Sequence, residues 1–167
     1  MGINTIMTDS SQRDSAPFTI RNASTSDASA IAGFNIAMAL ETEDHSLDPV
    51  TVERGVGAVM ENPSLGFYLV AEVAGEVAGC LMVTTEWSDW SNANYWWIQS
   101  VFVDTRYRGR GIYRGLYAEV QKRAQGQDKV CAIRLYVEKD NDVAQSVYRK
   151  LGMDNSGYLV FESRIEN

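Results

Sequence analysis

The feature that most constrains this chain is a turn of arginine and glycine between a strand-like run and a helical pattern. The turn reads Arg-Tyr-Arg-Gly-Arg-Gly over residues 106–111. Aromatic and β-branched residues fill positions 95–103 before it, and apolar residues spaced by four follow it at Ile112, Leu116 and Val120. A strand that passes into a helix through two glycines predicts an α/β fold whose backbone can approach a ligand closely.

The start of this predicted helix has the properties of an anion site. The first N–H groups of a helix lack intrahelical partners and lie at the positive end of the helix dipole. Arg108, Arg110 and Arg114 add positive charge here, in a chain whose net charge is -7. The sequence therefore predicts a diphosphate on the main-chain amides of residues 108–113.

The turn alone does not identify the phosphate ligand. Arg114 stands where a dinucleotide fingerprint needs its third glycine, and no Gly-Lys-Ser/Thr follows as in a Walker A loop. An unrelated nucleotide-binding module, or a turn that binds nothing, stays open at this point.

Hydrophobic periodicity predicts the element order β-α-α-β-β-β-α-β-α-β. The predicted strands cover residues 18–21, 67–73, 77–85, 95–103, 130–137 and 158–161. The predicted helices cover residues 28–41, 49–60, 112–125 and 142–151, with Asp27 capping the first. A crossover helix between the runs 95–103 and 130–137 requires parallel pairing, so we expect a mixed sheet with helices on both faces.

Composition excludes several classes of protein. The net charge of -7 argues against a nucleic-acid binder, and no apolar run reaches the roughly 18 residues of a membrane span. Cys80 and Cys131 lie in apolar runs without metal-ligand spacing, which predicts buried, reduced thiols in a cytoplasmic protein without a metal. Residues 1–16 are polar and predict a flexible extension rather than a secretory signal.

Two motifs at this separation resemble those of the GNAT superfamily of N-acetyltransferases. The first is the R-x-x-G-x-G of Arg106, Gly109 and Gly111, and the second is N-x-x-A-x-x-x-Y-x-x-x-G-M over residues 141–153. Tyr113-Arg114 departs from the small residue that many members have. The resemblance covers residues 18–165 and implies a single domain over 17–167, with six to seven strands and about four helices.

The resemblance also implies acetyl-CoA as the co-substrate, bound in a splay between the strands that end near Val103 and Val137. It implies cofactor contacts at Val101, Phe102, Val103, Arg108, Gly109, Arg110, Gly111, Ile112, Tyr113, Arg114, Asn141 and Tyr148. A main-chain N–H near Val101 is expected to stabilise the developing oxyanion.

Catalysis by acyl transfer to an amine requires an acid and a base. By the resemblance, Tyr148 is the acid that protonates the departing thiolate. Many relatives carry a glutamate where this chain has Gln99 and Ser100, so Glu86 on the neighbouring strand is the candidate base, through a water relay. Glu41, Glu43 and His45 are the next candidates.

The acceptor is expected to be a small cationic primary amine. The residues expected to contact it are Glu41, Glu43, Glu86, Trp87 and Gln99. The tryptophans at 87, 90, 96 and 97 are expected to form a pocket wall or a contact in a homodimer. The missing strand glutamate leaves an alternative function open, that of a CoA-binding sensor or scaffold without catalysis.

Overall fold

The computed structural model describes residues 17–165, which form a five-stranded sheet covered by helices. The strands are β1 (Phe18–Asn22), β2 (Phe67–Val73), β3 (Glu76–Ser88), β4 (Ala93–Val103) and β5 (Val130–Leu135). The helices are α1 (Ala28–Glu43), α2 (Pro49–Glu61), α3 (Ile112–Gln125) and α4 (Asp142–Lys150). The strands lie in chain order, antiparallel except for the parallel pair β4–β5. The expected mixed α/β sheet is confirmed.

Helices cover both faces of the sheet, as its side-chain alternation requires. On one face, Ile31 of α1 and Val56 of α2 pack with the β2–β4 residues Val70, Cys80 and Phe102. On the other face, α3 and α4 pack on the complementary row of the same strands, with Leu81, Leu116 and Tyr148 buried. Because successive strand residues point to opposite faces, each strand serves both layers.

Local sequence explains most element boundaries. The β2–β3 hairpin turns through Ala74 and Gly75, both with positive φ (49° and 84°). The Asp48 side chain caps α2 by accepting a hydrogen bond from the Thr51 N–H at 2.9 Å. Asn141 caps α4 by accepting from the Ala144 N–H at 2.9 Å.

The expected role of Asp27 was wrong in its detail. Asp27 occupies the N-cap position of α1, but its side chain makes no capping bond to that helix. Its carboxylate instead accepts two hydrogen bonds from the Arg21 guanidinium, at 2.7 and 2.9 Å, and one from the Ser24 N–H at 2.7 Å. Asp27 therefore ties β1 to the start of α1.

The C-terminal part of the sheet differs from the prediction. The sheet has five strands rather than six to seven, because the predicted strand at residues 158–161 does not form. In the part of the chain that the structure describes, these residues lie exposed and pair with none of the five strands. Cys80 is buried as expected, but Cys131 on β5 is exposed, since it lies on the open edge of the sheet.

Within residues 17–165, no helix is both long and apolar enough to cross a bilayer. The extension expected at residues 1–16 lies outside the described residues.

Candidate active site

Strand β4 contains a bulge at the point where its pairing with β5 ends. Ile98 pairs with Val83 and Ser100 with Met82, so Gln99 is an extra residue in β4. An extra residue bends a strand and changes its direction. The parallel register with β5 ends at the pair Ile98–Leu135, whereas β4 continues to Val103. The pairing of the two strands therefore stops next to the bulge, and β5 ends at Leu135, before the predicted Val137.

The glycine turn reaches α3 in a left-handed conformation. Gly109 and Gly111 have φ values of 78° and 77°, which favour glycine because a Cβ is strained there. Gly111 is the N-cap of α3 and provides no side-chain cap, unlike Asp48 and Asn141 at the starts of α2 and α4. A Cβ built at Gly111 would meet no atom within 4 Å. The helix start is thus an open cradle of main-chain donors, which fits a diphosphate.

Most of the arginines of the turn have protein partners. Arg108 donates from Nε to the Val103 carbonyl at 2.9 Å and from both terminal nitrogens to Glu41, each at 2.8 Å. Arg106 pairs with Asp104 at 2.9 Å. The Arg110 guanidinium lies 5.2 Å from the centre of the Tyr107 ring. Arg114 is exposed in the first turn of α3.

The Arg108–Glu41 pair joins the end of α1 to the glycine turn. Hydrogen bonds from Arg108 lower the pKa of the Glu41 carboxyl below its usual value. Both side chains are about three-quarters buried, so this bidentate pair holds the turn against the helix layer. Glu41 therefore bonds a residue of the glycine turn and is not free to bind an acceptor.

Two buried phenols lie next to each other under the turn. The rings of Tyr113 on α3 and Tyr148 on α4 are 6.3 Å apart. Their hydroxyls interact with each other, but neither makes a hydrogen bond of normal geometry in the described structure. Burial raises the pKa of Tyr148 to about 12 and that of Tyr113 still further. Tyr148 is therefore protonated at neutral pH and can donate. Buried polar groups normally have partners, so these hydroxyls indicate a place for a polar ligand group.

Polar and aromatic side chains form a row, the candidate cleft, on the other face of the same strands. Gln99 donates to the Thr84 hydroxyl at 2.8 Å. Two residues further along β3, the Glu86 carboxylate accepts from the Trp97 indole and lies 3.7 Å from Arg134. Because same-face neighbours on a strand are about 7 Å apart, Glu86 lies one such step from the Gln99–Thr84 pair.

Arg134 of β5 and Tyr136, which directly follows this strand, extend the row of side chains, and the sequence reasoning missed both. Tyr136 stacks on Trp97 with ring centroids 4.5 Å apart. Arg134 lies over the Tyr95 ring, 3.3 Å from its centre. The signal was present in the alternation of the run 130–137, which places Arg134 and Tyr136 on one face, but nothing in the sequence named their partners.

The four tryptophans do not form one cluster. Trp97 lines the cleft, whereas Trp96 points to the opposite face and packs edge-on against Phe67. Trp87 also alternates away from Glu86 and is half exposed, and Trp90 is almost fully exposed in the β3–β4 turn. Glu43 ends α1, and His45 follows it in an exposed loop. The structure thus brings Glu86 and Gln99 together, and leaves Trp87 outside the cleft.

No group of acidic, histidine or cysteine side chains in residues 17–165 has the arrangement of a metal site.

Comparison with known proteins agrees with this geometry. The Acetyltransferase (GNAT) family matches residues 32–153. Acetyltransferase SG1711 of Sodalis glossinidius (strain morsitans) is 38% identical over 104 residues, which are 60% of this chain and 67% of the relative. The structure of a possible acetyltransferase from Clostridium difficile 630 is 37% identical with a TM-score of 0.86, over 90% of this chain and 99% of that chain.

More distant structures share the fold. The aminoglycoside N-acetyltransferase AAC(6')-Iy, solved in complex with CoA, has a TM-score of 0.73 at 14% identity, over 90% of this chain and 96% of that chain. The family match spans most of the chain and contains both the glycine turn and α4. On these grounds, the chain belongs to the GNAT family of acetyltransferases.

Proposed function

We propose that this protein transfers an acetyl group from acetyl-CoA to a primary amine of a small acceptor by direct attack. The main support for the proposal comes from α3 and β4. Helix α3 starts in open space without a side-chain cap, and β4 continues beyond its last pair with β5. A long ligand with a diphosphate at one end and a thioester at the other has the chemistry for both features.

Main-chain groups hold the co-substrate in this proposal. The amides of residues 108–113 at the start of α3 bind the diphosphate, and Arg110 and Arg114 provide charge nearby. The β4 segment Val101-Phe102-Val103 lies beyond the last pair with β5, where the pantetheine arm can lie alongside it as a strand does. Asn141, the N-cap of α4, is the proposed side-chain contact of this arm.

Tyr148 is the proposed acid. The co-substrate provides a thioester whose C–S bond breaks as a C–N bond to the amine forms, and the leaving sulfur takes up a proton. The buried Tyr148 hydroxyl is protonated, interacts with the Tyr113 hydroxyl without a hydrogen bond of normal geometry, and lies on the helix that packs under the turn. It is therefore available to donate that proton.

Glu86 is the proposed base. An alkylamine with a pKa of about 10.4 is mostly protonated at neutral pH, so it must lose a proton before it can attack. Both protein contacts of the Glu86 carboxylate use Oε2. A water relay past the Gln99–Thr84 pair connects Glu86 with the splay.

In this proposal, the small amine acceptor binds in the candidate cleft next to Gln99. Its floor is the row of Trp97, Gln99 and Tyr136, which is aromatic and polar. Glu41 and Glu86 each have an arginine partner, so their negative charges would attract a cationic acceptor only in part. We place the enzyme in the cytoplasm, which agrees with its two free thiols.

The test combines binding and turnover. Calorimetry of CoA, with ATP as the control nucleotide, measures the cofactor site. Thiol release from acetyl-CoA with a panel of polyamines, amino acids, aminoglycosides and peptide N-termini measures the reaction. We expect CoA to bind much more tightly than ATP, with turnover on at least one class of amine. Tight CoA binding without turnover on any amine would favour a sensor or scaffold, and no CoA binding would overturn both.

A further inference from the structure

Aromatic rings hold the guanidinium of Arg134 in the candidate cleft. Its Cζ atom lies 3.3 Å from the centre of the Tyr95 ring and 5.6 Å from that of Trp97. A contact as short as the first requires the guanidinium to lie flat on the ring, because an edge-on nitrogen would overlap with it. Stacking of this kind fixes the position of a guanidinium but uses none of its N–H donors, which lie in its own plane. The donor edge of Arg134 is therefore positioned without being consumed.

The ion pair between Arg134 and Glu86 is a long one. Nη1 of Arg134 lies 3.7 Å from Oε2 of Glu86, which is too far for a hydrogen bond. The same Oε2 atom accepts the indole N–H of Trp97. The side chains of Arg134 and Glu86 are 29% and 49% exposed, so solvent screens their attraction. A ligand carboxylate can thus form the short, bidentate bonds with Arg134 that Glu86 does not form.

The register of the sheet gives the distance from Arg134 to the reacting end of the cleft. Arg134 pairs with Trp97, and the pairing of β4 with β5 ends one residue later, at Ile98 and Leu135. The guanidinium leans back over Tyr95, three residues before Ile98. At about 3.3 Å per residue, roughly 10 Å separates it from the point where β4 continues alone. An acceptor that reaches both places needs several bonds between its amine and its anionic group.

The charge and shape of the row favour a carboxylate on a hydrocarbon chain. A carboxylate brings one negative charge and matches the planar fork of a guanidinium, whereas a phosphate monoester brings about two and would be repelled more strongly by Glu86. A diamine would place a second positive charge next to Arg134. The stacked rings of Trp97 and Tyr136 provide an apolar surface for the chain of the acceptor.

We propose that Arg134 binds a carboxylate of the acceptor, so that the acceptors are ω-amino carboxylates or molecules that contain this unit. In this assignment Arg134 determines specificity and takes no part in the proton transfers. The proposal rests on the proposed acetyl transfer and adds to it the chemical class of the amine.

Matched pairs of acceptors test this assignment. ε-Aminohexanoate and δ-aminopentanoate carry an amine and a carboxylate, and hexylamine and pentylamine carry the same amine without the carboxylate. In assays of thiol release from acetyl-CoA, we expect kcat/KM for each amino carboxylate to exceed that for its alkylamine at least about tenfold, as charged hydrogen bonds of this kind contribute. ε-Aminohexyl phosphate should be a poorer acceptor than ε-aminohexanoate.

A variant of Arg134 shows whether this residue is the cause. Arg134→Gln removes the charge and the fork, and should lower kcat/KM for ε-aminohexanoate at least about tenfold. It should change kcat/KM for hexylamine far less, whereas a purely structural role would lower both values equally. Arg54→Gln, at an exposed position on α2, is the control and should keep the preference of the parent protein.

The outcomes separate the carboxylate site from the proposed reaction. Equal use of hexylamine and ε-aminohexanoate, a preference that survives Arg134→Gln, or better turnover of the phosphate would overturn the carboxylate site and leave the transferase intact. Calorimetry of ε-aminohexanoate with the CoA-loaded protein measures the site without turnover. Binding that Arg134→Gln weakens, in a protein that acetylates no amine, would support the carboxylate site and reject the reaction. Neither binding nor turnover would reject both.

Discussion

At the scale of single residues, the clearest prediction concerns the Tyr148 hydroxyl. The change Tyr148→Phe removes the buried O–H and keeps the ring in the core. Folding should be little affected, because that hydroxyl loses only its interaction with the Tyr113 hydroxyl, which lacks normal hydrogen-bond geometry. We expect kcat to fall about a hundredfold, since a general acid contributes at least that much. The KM for acetyl-CoA should change far less. Initial rates of thiol release measure both constants.

Tyr117→Phe is the matched control, because Tyr117 is a buried phenol on α3 that stacks with Tyr113 and lies outside the proposed site. It should retain the kcat of the parent protein. A Tyr148→Phe enzyme with unchanged kcat would remove Tyr148 from the role of acid.

The second residue-scale prediction tests Glu86 through the pH dependence of the rate. Glu86→Gln keeps an oxygen that can accept from the Trp97 indole, so the cleft should keep its shape. We expect kcat/KM to fall about a hundredfold near pH 7, where the amine is protonated. The ratio of kcat/KM between the parent protein and Glu86→Gln should become smaller as the pH rises, because the amine then loses its proton to solvent.

A pH–rate profile of both proteins between pH 6 and roughly 10 checks this, the upper limit being set by the amine pKa. A ratio that is the same at every pH would mean that Glu86 binds or positions the acceptor and does not take its proton.

Residue types were readable from the sequence, but their partners were not. The glycines at 109 and 111 and Tyr148 could be assigned because a turn conformation and a helix face constrain them locally. The pairing of Glu41 with Arg108 joins residues 67 positions apart, and no local pattern encodes it. The same holds for Arg134 on Tyr95, which depends on the parallel register of β4 and β5.

At the scale of elements, a side chain added at the start of α3 tests whether this helix start binds the diphosphate. Gly111→Val adds a branched side chain where no protein atom lies within 4 Å of the Cβ, so the clash would be with the ligand. The positive φ of 77° adds strain of about 1–2 kcal/mol. We expect a folded protein whose CoA affinity falls by at least about tenfold, a loss of about 1.4 kcal/mol or more. Calorimetry measures the affinity.

Gly75→Val separates strain from the ligand clash. Gly75 also has a positive φ, 84°, and open space around its Cβ, but it lies in the β2–β3 hairpin. The Gly75→Val protein should be destabilised by about as much as Gly111→Val and should bind CoA as the parent protein does. If both variants bind CoA as the parent does, the diphosphate does not lie on the start of α3.

The link between β1 and α1 makes stability depend on pH. Hydrogen bonds from Arg21 lower the pKa of Asp27 from 3.8 to about 2, and the carboxylate is nearly buried. A carboxyl whose pKa is lower in the folded state stabilises the protein above its unfolded pKa of about 3.9, and this contribution disappears as the pH falls through about 2. Its size is about 2 kcal/mol.

Asp27→Asn should therefore lower the free energy of unfolding by about 2 kcal/mol at pH 7 and by almost nothing near pH 2. Urea unfolding at several pH values measures this. Asp48→Asn is a useful comparison, since that exposed carboxylate caps α2 and has no arginine partner in the contacts above. If Asp27→Asn lowers the free energy of unfolding as much at low pH as at pH 7, then packing and not charge stabilises the link between β1 and α1.

At the scale of the whole molecule, the sequence predicted the layers and the chain order but not the end of the sheet. The hairpin β2–β3 and the crossover through α3 follow from turn residues and periodicity, both of which are local. The run 158–161 has the composition of a strand, yet a strand exists only if an edge accepts it. The local pattern of residues 158–161 does not show whether that edge belongs to the same molecule or to another.

The last prediction uses the whole fold as the reporter of the cofactor site. A ligand that binds only the folded state stabilises it by about 2.7 kcal/mol at a concentration one hundred times its Kd. For a chain of 167 residues, each kcal/mol raises Tm by roughly 2–4 °C, so CoA at that concentration should raise Tm by about 5–10 °C. Differential scanning calorimetry at several CoA concentrations measures the shift, which should increase with the logarithm of concentration. ATP at the same concentrations should produce much less, because a nucleotide alone cannot occupy the gap between β4 and β5. Gly111→Val should reduce the CoA shift by about half or more at the same concentration, whereas Gly75→Val should retain it. An equal shift in both would place CoA somewhere other than the start of α3.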